Sequence, residues 1–81
     1  MSAKNTRQEK TELRLRILEY IENKGDPSFF NIANDLKLSP DTLASELKIL
    51  IELGYLDVYS GPSYSITTEG LNELNQLKGT N

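Results

Sequence analysis

The 81 residues contain no cysteine, no histidine and no tryptophan, with one methionine and three prolines. Without cysteine there is no disulfide, no thiolate nucleophile and no cysteine-based zinc site. Without histidine, catalytic triads and metal sites that need imidazole are excluded as well. No catalytic, metal or cofactor-binding residues are therefore assigned, and the chain is not expected to be an enzyme. Long hydrophobic runs are missing too. The longest, Ile49-Leu50-Ile51, is far short of a membrane span. The polar N-terminus lacks the apolar stretch of an export signal, so the expected location is cytoplasmic.

What is present is charge, unevenly placed. Twelve acids against nine bases give a net −3. Residues 1–16 hold Lys4, Arg7, Lys10, Arg14 and Arg16 against Glu9 and Glu12, a local +3. The other 65 residues hold four lysines against ten acids, a local −6. A basic N-terminal segment suits a polyanion, whereas the acidic remainder does not.

Helical periodicity dominates the first two thirds of the chain. Thr6-Arg7-Gln8-Glu9 has capping-box spacing, which predicts a helix from about Arg7 to Lys24, preceded by a flexible basic arm over 1–6. Leu13, Ile17, Tyr20 and Ile21 form its apolar stripe, with Leu18 beside it. A short second helix, about Phe29 to Leu36, is capped by Ser28 and buries Phe29, Ile32, Ala33 and Leu36. After Lys37-Leu38-Ser39, with Leu38 as an apolar plug, a third helix runs from about Pro40 to Leu53. Ser39 is its N-cap, Pro40 occupies the first helical position, and Asp41 suits the helix dipole. Leu43, Ala44, Leu47 and Leu50 form its predicted buried stripe. Gly25, Gly54 and Gly79 each follow a helical pattern as stops.

The period then shortens to two. Leu56 and Val58 alternate with Asp57 and Tyr59, and Tyr64 and Ile66 with Ser65 and Thr67, around Ser60-Gly61-Pro62-Ser63. This reads as a β-hairpin. A last helix, about Thr68 to Lys78, starts at Thr67 and carries Leu71, Leu74 and Leu77. The predicted fold is thus mostly α with a small β-hairpin, in the order helix, helix, turn, helix, hairpin, helix, as one domain over 1–81. A helix-turn-helix followed by a hairpin is a winged helix-turn-helix.

Two stretches carry a family resemblance. The first runs from Asn31-Ile32-Ala33 through Leu36-Lys37-Leu38-Ser39-Pro40, Thr42, Leu43, Leu47 and Leu50 to Leu53-Gly54-Tyr55-Leu56. The second is Tyr64-Ser65-Ile66-Thr67-Thr68-Glu69-Gly70-Leu71. The chain resembles, over about residues 12–78, winged helix-turn-helix transcription regulators, MarR-like and ArsR-like ones among them. The resemblance implies double-stranded DNA as partner, with the third helix in the major groove and the hairpin reaching phosphates or the minor groove. It also implies close packing of the last helix at Gly70.

The residues so implicated are Ser39, Asp41, Thr42, Ser45, Glu46 and Lys48 on the third helix and Lys37 in the turn. Arg7, Lys10 and Arg14 join them from the basic segment, and Ser60 and Ser63 from the wing. Glu46 would accept from cytosine but repel phosphate. The sequence departs from the family in placing Ser45 and Ile49 where such regulators often carry Arg or Lys, and in having no basic residue in the wing. Leu15, Ile49, Ile51 and Leu53 fall outside the core stripes, which predicts a contact surface and a homodimer. The alternative is a winged helix that binds another protein and not DNA.

Overall fold

In the computed structural model the backbone is described over residues 2–58 and 63–79, and side chains over 11–58 and 63–79. Four helices and one hairpin follow in the order α1 (Ser2–Lys24), α2 (Phe29–Leu36), α3 (Pro40–Glu52), β1 (Leu56–Val58), β2 (Tyr64–Ile66) and α4 (Thr68–Gly79). The strands are antiparallel, with Leu56 opposite Ile66 and Val58 opposite Tyr64. An isolated bridge between Ser28 and Ser63 and a bond from the Tyr64 amide to the Pro27 carbonyl (3.0 Å) tie the start of α2 to the root of the wing. The fold is the expected mostly helical winged helix-turn-helix.

Two helix ends differ from expectation. The first helix begins at Ser2, so residues 2–6 are helical and not an arm. Nothing between Ser2 and Thr6 breaks a helix, and Ala3 and Lys4 favour one, so the capping-box signal at Thr6 does not set the boundary. At the other end Gly79 is the last helical residue and not the stop beyond it. The remaining ends follow their caps. Ser28 accepts from the Asn31 amide (3.2 Å). Gly25 and Gly54 hold the positive φ of 68° and 86° that ends a helix without a Cβ clash.

Nine aliphatic side chains form the core: Ile17, Leu18 and Ile21 of α1, Ile32 of α2, Leu43, Leu47 and Leu50 of α3, Leu56 of β1 and Leu74 of α4. Leu13, Tyr20, Phe29, Ala33, Leu36, Leu38, Tyr64 and Leu77 pack against it from half-buried positions. Leu15 and Ile51, expected on a contact surface, also pack against it from half-buried positions. Ala44, expected inside, is exposed, and Glu46, expected outside, is buried. The physical reason is the position of the α3 stripe. Glu46 lies three residues after Leu43 and four before Leu50, in the middle of the leucine face, while Ala44 is rotated about 100° off Leu43.

Polar clasps hold α1 to α2. The Arg16 guanidinium donates to the Leu36 carbonyl at the end of α2 (3.1 Å). One turn on, the Tyr20 hydroxyl bonds the Asp35 carboxylate and lies 3.2 Å from the Asn31 carbonyl. The bond to Asp35 keeps the phenol protonated and pushes its pKa up to about 12. Between α1 and α4, Lys78 lies 3.7 Å from Glu19.

At the close of the wing, α4 passes hard against the segment that leaves α3. A Cβ on Gly70 would come within 2.2 Å of the Tyr55 carbonyl oxygen and 2.7 Å of Ile66 Cγ1. This is the close packing the family resemblance implies there. Gly70→Ala is expected to destabilise the fold by about 1–3 kcal/mol through overpacking, because the roughly 1 kcal/mol gained in helix propensity does not move a backbone oxygen aside. Urea unfolding checks this: the midpoint falls, and an unchanged or raised midpoint contradicts the crossing.

Candidate nucleic-acid interface

The turn between α2 and α3 is built by the last residues of α2. The Lys37 amide donates to the Asn34 carbonyl (3.3 Å) and the Leu38 amide to the Ala33 carbonyl (3.0 Å). These two bonds, with Lys37 at φ 56°, ψ 49°, make a Schellman motif. Leu38 and Ala33, which such a motif brings together, are both packed against the core. The turn is therefore fixed at both its backbone and its plug. The Lys37 side chain is left exposed beside the start of α3.

The start of α3 is fixed by Ser39. Its Oγ accepts from the Thr42 amide (3.2 Å) and donates to Thr42 Oγ1 (2.9 Å). The Ser39 hydroxyl is thus committed to the cap, while Thr42 keeps its own proton for an outside acceptor. Pro40 follows at the first helical position and Asp41 lies in the first turn. Asp41, Thr42, Ser45, Lys48, Ile49 and Glu52 are all exposed, and together they make the solvent face of α3. That face is short and polar, with one cation, and backbone N–H groups open at its N-terminal end.

Among the predicted contact residues, Ser39, Asp41, Thr42, Ser45, Lys48 and Lys37 come together on this face and its edge. Glu46 does not: at 6% exposure it lies inside the domain. Arg14 is turned toward it, with Nε 3.8 Å from Glu46 Oε1, so it leaves the surface set too. Ser63 is half-buried at the root of the wing. Ser60 lies outside the described residues, as does Tyr59, and the side chains of Arg7 and Lys10 lie outside the described side chains.

A feature the sequence did not reveal is an open groove of about 370 Å³ between α3 and the wing. Phe29, Leu47, Ile51 and Tyr64 form its walls, and Ala44, Lys48 and Glu52 its α3 edge. The one available signal was the recurrence of Ala44, Lys48 and Ile51 at i, i+4 and i+7, a second helical stripe beside the leucines. Phe30, Ile49, Leu53 and Val58 are the large apolar side chains left exposed among the described residues.

A turn plugged by Leu38, a capped third helix with a polar outer face, and a hairpin anchored at the end of that helix define the winged helix-turn-helix class of fold. The comparison of families agrees. The model of the winged helix-turn-helix DNA-binding family matches residues 10–57, and the chain belongs to that family. No curated protein sequence matches it. Among solved structures, RV1404 from Mycobacterium tuberculosis is similar in fold, with a TM-score of 0.74 and 18% identity. That likeness covers 80% of this chain and 48% of RV1404, so the chain spans about half the length of that protein. Among the described residues no helix is long and apolar enough to cross a membrane.

Lys37 separates folding from binding in one substitution. Its left-handed backbone strains a residue with a Cβ, so Lys37→Gly is expected to stabilise the domain by about 0.5–1 kcal/mol. The same change removes a cation from the interface. Thermal melting alongside a duplex-binding titration reads both; a lower Tm contradicts the left-handed turn.

Proposed function

We propose that the chain is a DNA-binding transcription regulator of the MarR-like or ArsR-like kind, acting as a homodimer without catalysing a reaction. The observation that carries this is the solvent face of α3, a polar stripe capped by Ser39 on a chain of the winged helix-turn-helix DNA-binding family. In this reading α3 enters the major groove. Thr42 and Ser45 would meet base edges or phosphates near its N-terminus, Asp41 a base-edge donor such as the cytosine amino group, and Lys48 and Lys37 phosphates. Arg7 and Lys10 would add phosphate contacts from α1, and Ser60 and Ser63 from the wing. Two subunits double a small set of cations and match a palindromic site. Regulation would follow from occluding a promoter or recruiting a partner there. A single domain over 1–81 and a cytoplasmic location complete the proposal.

The groove favours a second reading. Its apolar walls, with Ile49 and Leu53 exposed nearby, suit a protein partner, and a protein-interaction module is the alternative function.

Duplex binding measured across salt concentration tests the first reading. Affinity should fall with rising salt, and Lys48→Ala should reduce the slope of log K against log salt by about 0.9 per subunit. Removal of residues 1–10 should flatten it further. Absence of duplex binding at low salt, with the fold retained, refutes the regulator and favours the protein-binding module. Sedimentation at the same concentrations decides the dimer.

A further inference from the structure

Glu46 is the only charged residue among the buried side chains described, and it stands on the helix proposed to read DNA. Its neighbours on that face of α3 are Leu43, Leu47 and Leu50. The charge facing it comes from α1: Arg14 Nε lies 3.8 Å from Glu46 Oε1, and the Glu46 side chain is 8% exposed against 27% for Arg14. The separation is that of an ion pair and is too long for a hydrogen bond. Neither atom has a hydrogen-bond partner among the described residues. The backbone of α1 packs most extensively against α4, β2 and α2, and that of α3 against β1. The pair is thus a charged link between α1 and α3, which otherwise meet through the aliphatic core.

Folding stability does not account for such a pair. Replacing a buried ion pair with well-packed apolar side chains is often neutral or stabilising, whereas removing one partner strands a charge. Leucine contacts tolerate sliding and rotation, but a buried carboxylate with one facing guanidinium favours the arrangement that keeps the two charges together. We propose that Arg14 and Glu46 are positioning residues that set the orientation of α3 against α1, and through it which duplex sequence α3 distinguishes. The proposal rests on the DNA-binding reading. It assigns Arg14 and Glu46 an indirect part in that reading, in place of the direct DNA contacts their residue types suggested.

The test uses the full chain and three proteins: wild type, Glu46→Gln, and the double variant Arg14→Met with Glu46→Leu. The double variant keeps the net charge, since one base and one acid leave together, so long-range attraction to DNA is preserved. It also keeps the proposal falsifiable if Glu46→Gln does not fold. Residual dipolar couplings report the angle between α1 and α3. Binding is read on a duplex that wild type selects from a random pool and on a scrambled duplex of the same composition. The expected result is a double variant with a Tm at or above wild type, a changed angle, at least a tenfold loss of preference for the selected duplex, and affinity for the scrambled duplex within twofold of wild type. An unchanged angle overturns the proposal, as does a changed angle with the preference intact. If wild type selects no duplex, the DNA-binding reading fails, and the couplings alone then decide whether the pair orients α3.

Discussion

The Tyr55 carbonyl is the point on which the architecture turns. It accepts the Thr67 amide (3.0 Å) and also occupies the space where a Gly70 side chain would stand. One residue earlier the Gly54 carbonyl accepts the Thr67 hydroxyl (2.6 Å), while Thr67 Oγ1 itself accepts from the Gly70 amide (2.9 Å). The residues leaving α3 and those opening α4 therefore share one hydrogen-bonded knot. The hairpin is the loop between the two halves of that knot, so the wing cannot shift without disturbing the end of α3. Strands of three residues are too short to stabilise a hairpin alone, which makes this external anchor necessary.

The helix-turn-helix is held in a different way. Its turn is satisfied within α2 by the Schellman bonds and the Leu38 plug, and its second helix by the Ser39 cap. What joins the pair to the rest is α1, through Arg16 on the Leu36 carbonyl and Tyr20 on Asp35. The bonds to Leu36 and Asp35 land at the C-terminal end of α2 and pin it close to the turn, while Tyr20 also reaches the Asn31 carbonyl in its first half. With α2 fixed by α1, α3 fixed at its end by the knot, and the start of α2 tied to the wing at Pro27 and Ser28, the outer face of α3 is presented by a frame closed on three sides.

Local chemistry made most of this frame legible in the sequence. Ser28, Ser39 and Thr67 are short hydroxyl residues that accept from an amide three positions on, and each marks a helix start by local sequence alone. Leu56, Val58, Tyr64 and Ile66 show a period of two that marks strands, and the Gly61-Pro62 turn signal between them joins these as a hairpin. Properties set by a distant segment were not legible. Glu46 reads as a surface residue by type, and nothing within α3 reveals that Arg14, 32 positions earlier, supplies its counter-charge. Leu15 and Ile51 read as surplus apolar residues by their place off the helix stripes, although both pack against the core from half-buried positions. The groove escaped notice because its walls come from α2, α3 and β2.

The burial of Glu46 also changes what the charge distribution means for binding. The local +3 of residues 1–16 overstates what reaches a duplex, because Arg14 faces Glu46 and Arg16 donates to the Leu36 carbonyl. Around the turn and α3, Lys37 and Lys48 are the cations left without an ion-pair partner among the described residues. Six to ten neutralised phosphates are what a strongly salt-dependent site uses. Two lysines per subunit supply a fraction of that, even doubled in a dimer. In the proposed reading, neutral donors would add to these few cations: the Thr42 and Ser45 hydroxyls and the open N–H groups at the start of α3, whose bonds release no counterions. Such a regulator would gain discrimination relative to non-specific attraction, because weak phosphate binding lowers affinity for every sequence alike while contacts to base edges do not. In the same reading the net negative charge of residues 17–81 would work in the same direction, opposing attachment to DNA that α3 does not fit.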